Sequence, residues 1–113
     1  MASIDVYRQY FAADCVFNDV KRRGACVWLM AESYSGNIRY EVGVTFFPHT
    51  DAEDFAISYD ASAVKEVLNT SGRRSKKRDK EYLAQLRTVA DEIANAFSAT
   101  INWDQPLNEA QYG

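Results

Sequence analysis

Arg39-Tyr40-Glu41-Val42-Gly43-Val44-Thr45-Phe46 alternates without a fault, with Tyr40, Val42, Val44 and Phe46 on one side and Arg39, Glu41, Gly43 and Thr45 on the other. A period of two is the mark of a half-buried β-strand. The stretch is bounded by the turn signal Ser35-Gly36-Asn37 and by Pro48, which has no N–H to give to a ladder. One face of this strand must therefore meet a core, and the rest of the chain is read around it.

Upstream, Ala25-Cys26-Val27-Trp28-Leu29-Met30-Ala31 is apolar on both faces, as a central strand covered on each side would be, or one whose second face meets another subunit. Cys15 to Val20 reads as its hairpin partner, joined through a basic turn ending in Gly24. Downstream, His49 to Asp54 forms a polar, acidic connection, and Phe55, Ile57 and Tyr59 alternate as a fourth short strand. Four consecutive strands with short links imply an antiparallel meander, because parallel pairs need crossovers of about a dozen residues or more.

Helical periods frame this sheet. Ser3 is placed to cap a short N-terminal helix carrying Ile4, Tyr7 and Phe11, and Asp60 or Ser62 to cap a two-turn helix with Ala61, Val64, Val67 and Leu68. From about Ser75 to Ala99, the positions Tyr82, Leu83, Leu86, Val89, Ala90, Ile93, Ala94 and Phe97 form the apolar stripe of a long amphipathic helix. Thr100-Ile101-Asn102-Trp103 adds a last strand or pins the chain, and a polar tail begins at about Gln105. The expected class is α+β, a four- to five-stranded antiparallel meander covered by the long C-terminal helix. Residues 1–113 make one domain, since this length suits a single core.

The two thiols sit in apolar runs, Cys15-Val16-Phe17 and Ala25-Cys26-Val27, where a free Cys acts as a small hydrophobe. A hairpin turning at Arg22-Arg23-Gly24 would set Cys15 opposite Met30 and Cys26 opposite Asp19, too far apart for a disulfide. No stretch approaches the roughly 18 apolar residues of a spanning helix, and the N-terminus has no basic region followed by a long apolar run, so a cytoplasmic address is expected.

Charge is the distinctive feature. Nine of the 13 Lys and Arg residues fall in two runs, Lys21-Arg22-Arg23 and Arg73-Arg74-Ser75-Lys76-Lys77-Arg78-Asp79-Lys80, and the remainder of a chain of net charge −3 is strongly acidic. The second run stands at a loop-to-helix junction, where the positive end of the helix dipole disfavours cations. Helix stability does not explain its placement. If both runs lie on one side of the sheet they form a basic surface suited to a phosphate backbone, with Lys21, Arg22, Arg23, Arg73, Arg74, Lys76, Lys77 and Arg78 as its contacts. Asp51, Glu53 and Asp54 head an acidic group able to occupy a basic groove on a partner.

Catalytic kits are missing from the pattern. The single His, His49, stands beside Pro48 with no nucleophile paired to it, and no Gly-rich phosphate loop follows a strand. One His near Asp51, Glu53 and Asp54 is a poor metal set. Neither cofactor nor metal is expected. In size, acidity and lack of catalytic residues the chain resembles, at the level of class, the small inhibitors that phages and mobile elements direct against host defence nucleases, including anti-CRISPR proteins. That resemblance implies a non-catalytic interaction protein docking charged faces onto a nucleic-acid-handling complex through Asp51, Glu53, Asp54, Arg73, Arg74, Lys76, Lys77 and Arg78. Direct nucleic-acid binding through the basic runs is the second expectation, and a small enzyme without a recognisable motif the third. Apolar residues left over on the open side of Cys26, Trp28 and Met30 would be buried in a homodimer.

Overall fold

The computed structural model describes residues 2–47, 62–73 and 75–107. Its elements run β1 (Ala2–Phe17), β2 (Val20–Tyr34), β3 (Asn37–Phe47), β4 (Ser62–Ser71), α1 (Lys76–Ala96) and β5 (Thr100–Leu107). They form one antiparallel sheet in the order β4-β3-β2-β1-β5, with α1 packed on one face. The first four strands are a meander, and the helix carries the chain from the β4 edge back to the β1 edge, where β5 joins.

The alternation in β3 does what its period requires. Ile38, Tyr40, Val42, Val44 and Phe46 are fully buried, and with Ala25, Val27 and Leu29 of β2 they meet Leu86, Ala90, Ile93 and Ala94 of α1. Each large side chain so buried contributes roughly 1.5–3 kcal/mol. β2, apolar on both faces, is the central strand of the five.

Four expectations are corrected. The N-terminal stretch from Ser3 to Phe11 is not a helix but part of the long strand β1, paired with β2 on both sides of an extra residue at Val6. The predicted helix carrying Ala61, Val64, Val67 and Leu68 is likewise not seen among the described residues, where Ser62–Ser71 is strand β4, paired with β3. The first hairpin turns at Asn18-Asp19, both with positive φ (52° and 62°), as a two-residue I′ turn demands. This turn sets Cys15 opposite Arg22 and Cys26 opposite Tyr10, and moves the basic run out of the turn into β2. The two thiols belong to separate apolar clusters. The C-terminal strand also runs further than expected, to Leu107, with Pro106 paired to Phe11 on the sheet edge where proline is tolerated. The predicted strand Phe55-Ile57-Tyr59 lies outside the described residues.

Candidate docking surface

Helix α1 begins where β4 ends. Ser75 caps it, its hydroxyl accepting from the Arg78 amide at 3.2 Å, and Asp79 in the first turn carries the charge that a helix N-terminus favours. Tyr40 of β3 donates to Asp79 Oδ1 at 2.6 Å, and its ring lies 4.4 Å from that of Tyr82. Arg78 folds back over Gly72 towards the Ser71 carbonyl, at 3.5 Å. Helix and sheet are thereby clamped at this end by one acid and one base.

The other cations of the block are left over. Arg73, Lys76, Lys77 and Lys80 are exposed, and among the described residues they enter no ion pair. By contrast, Arg39 binds both Glu32 and Glu41, at 2.6 and 2.8 Å, and Lys65 binds Glu92 near the other end of the helix. Asp91, beside Glu92, accepts from the Trp103 indole N–H at 3.0 Å. The helix thus carries cations at its positive end and carboxylates towards its negative end, the reverse of what its dipole favours.

The two basic runs do not merge. The Gly72 amide donates to the Gly36 carbonyl in the β2–β3 turn, so the helix starts at that end of the sheet. It finishes at the opposite end, where Phe97 packs on Phe17, beside the Asn18-Asp19 turn, at 5.5 Å. Twenty-one helical residues, roughly 30 Å, lie between. Arg22 leaves the basic surface altogether. It is 1% exposed, donates from Nη1 to the Phe17 carbonyl at 2.9 Å and stacks 5.6 Å above the Phe17 ring. Only Lys21 and Arg23 of that run face solvent. The clue missed in the sequence was Asn18-Asp19, which turns the chain early and points alternate residues of the run inward.

On the sheet face away from the helix, Trp28 lies across Gly43, and Tyr10, Cys26 and Phe47 form a small buried cluster. Much of the apolar surface expected to await a second subunit is therefore used within the sheet itself. Burial pushes the Cys15 thiol and the Tyr7 phenol above their ordinary values, against the opposing pull of Arg22 on the thiol and Arg87 on the phenol. Asp51, Glu53, Asp54 and Arg74 lie outside the described residues. Among the described residues no group of three His, Cys, Asp or Glu side chains gathers to hold a metal, and no helix is long and apolar enough to cross a membrane. Compared with known proteins, the chain matches no family model, no curated protein and no solved structure.

Proposed function

We propose that the protein is a non-catalytic docking module whose cationic end, Arg73 with Lys76, Lys77 and Lys80, seats on an acidic surface of a nucleic-acid-handling complex and inhibits it. The observation behind this reading is charge held against the helix dipole: four exposed cations with no intramolecular partner among the described residues, at the one helix end where they cost stability. Exposed charges so placed steer and orient an encounter more than they strengthen it, which suits a protein that must find one partner quickly. The acidic group Asp51, Glu53 and Asp54 is the second docking element in this scheme.

Direct binding of a nucleic-acid backbone is the weaker alternative. A phosphate track needs a continuous run of cations, whereas here the two runs occupy opposite ends of a helix in a chain of net charge −3. Capture from the native host with the full chain, compared with Lys76→Glu/Lys77→Glu/Lys80→Glu and with Asp51→Ala/Glu53→Ala/Asp54→Ala, tests the proposal. Loss of the same captured complex in the first variant supports it. Capture unchanged in both variants rejects it, and tight, salt-sensitive binding of bare DNA or RNA by the parent chain favours the alternative.

A further inference from the structure

Two strand irregularities meet beside the first hairpin. In β1, Ala12 pairs with Gly24 and Cys15 with Arg22, so Ala13 and Asp14 together oppose Arg23 alone. In β5, Pro106 faces Phe11 while Asn102 faces Ala12, leaving Trp103, Asp104 and Gln105 outside the ladder. Extra residues of this kind bend a strand and re-aim its side chains, and they are over-represented next to functional sites. Between them opens a shallow hollow of about 280 Å³ lined by Ala12, Ala13, Asp14, Arg23, Asn102 and Gln105. That volume is near the lower bound of small-ligand sites, about 300 Å³, and admits a single small group only.

The lining is chemically specific. It offers one carboxylate, one guanidinium and two carboxamides, and among the described residues none of these four side chains is engaged in an ion pair or a side-chain hydrogen bond. Ala12, half-buried, presents only a methyl group, and Ala13 is buried in the core, so no bulky side chain keeps a flat ring from the strand here.

We infer that this hollow binds a guanine base. Guanine carries two neighbouring N–H donors, at N1 and N2, along one edge and two neighbouring acceptors, O6 and N7, along the next. A carboxylate accepts from both donors, and the fork of a guanidinium donates to both acceptors. Asp14 and Arg23 supply that pair of complements, and Asn102 and Gln105 supply planar amides for the ring and sugar positions that remain. Adenine has no pair of adjacent ring-edge donors for Asp14, and cytosine and uracil have no N7. A free amino acid would satisfy Asp14 and Arg23 and leave both carboxamides idle. Lys21, exposed two residues from Arg23, is available to the phosphate that accompanies either a free guanine nucleotide or a guanosine within a single strand.

The test is a titration of the full-length, isotope-labelled chain with GMP, AMP, CMP and UMP, and with short oligothymidylates carrying one central guanosine or adenosine, read by NMR shifts. Guanine ligands should move the signals of Asp14, Arg23, Asn102 and Gln105 saturably and bind roughly tenfold or more tighter than their adenine counterparts. Tighter binding of the guanosine oligonucleotide than of GMP assigns the source to a strand; equal or weaker binding assigns it to the nucleotide. Asp14→Asn should abolish the preference for guanine, and Asn102→Ala, also at the hollow, gives a second reading if the first variant loses its folded spectrum. Lys76→Glu/Lys77→Glu should bind guanine as the parent does, which separates this site from the docking surface. Absence of saturable shifts, equal response to adenine, or an equal response to free glycine overturns the assignment.

Discussion

The indole of Trp28 lies across Gly43, its neighbour in the pairing of β2 with β3, so closely that a Cβ on Gly43 would stand 2.0 Å from Cζ2 and 2.2 Å from Cε2. Gly43 is thus a seat for the ring. Gly43→Ala should displace the indole and destabilise the fold by about 1–3 kcal/mol in urea unfolding. Adding Trp28→Leu should recover part of that loss, since residues in contact do not behave additively. Full stability of the single alanine variant would show that the ring does not rest there.

Tyr40 and Asp79 join the best-buried strand to the first turn of the helix. A hydrogen bond to a charged acceptor is worth about 1.5–3 kcal/mol, so Tyr40→Phe should lose an amount in that range. Asp79→Asn weakens the same bond and the interaction with the dipole. A double-mutant cycle should give a clear coupling energy, and strict additivity would mean the two groups act separately.

Adjacent arginines of β2 should behave unlike each other. Arg22→Ala removes a buried side chain, its bond to the Phe17 carbonyl and its stacking on the Phe17 ring, and should cost about 2–4 kcal/mol. Arg23→Ala, at an exposed position, should stay within about 0.5 kcal/mol. Thermal melts of the two variants side by side would expose an error in the hairpin register, because a shift by one residue exchanges their roles.

Lys76→Glu and Lys77→Glu should each stabilise the isolated protein, by about 0.3–1 kcal/mol at low salt, since they place anions at a helix N-terminus. The proposed docking should be lost in the same variants. A rise in Tm accompanied by loss of the partner would separate a functional charge from a structural one. A fall in Tm would show that the cations stabilise the helix after all.

Cys15 and Tyr7 both hold their protons more tightly when folded, mainly through burial. Each loses a proton to become charged, so its stabilising contribution is complete below the ordinary value, 9.0 for the thiol and 10.0 for the phenol, and disappears as pH rises through the raised one. Stability measured by denaturant midpoint should therefore fall from about pH 9 upward, and Cys15→Ser/Tyr7→Phe should flatten that slope. In native protein at neutral pH, both buried thiols should resist alkylation until denaturant is added.

Where periodicity was unbroken, the amino-acid order alone determined the structure: the two-residue alternation of Tyr40, Val42, Val44 and Phe46 and the helical stripe Leu86, Ala90, Ile93 and Ala94 each lead to one buried face. Tertiary pairing decided the rest. β1 carries an extra residue at Val6, between the Asp5–Met30 and Tyr7–Leu29 pairs, and β4 shifts its register opposite Tyr40 and Glu41. A bulge of this kind resets the phase of a strand, so Ile4, Tyr7 and Phe11, or Val64 and Val67, fall at spacings that imitate a helix. Local propensity cannot separate these cases, because hydrogen bonds to a neighbouring strand tip the balance. The charge clusters followed the same division: their existence is written in the chain, but the burial of Arg22 and the separation of the two runs to opposite ends arise from where the turns fall and which way the helix crosses the sheet.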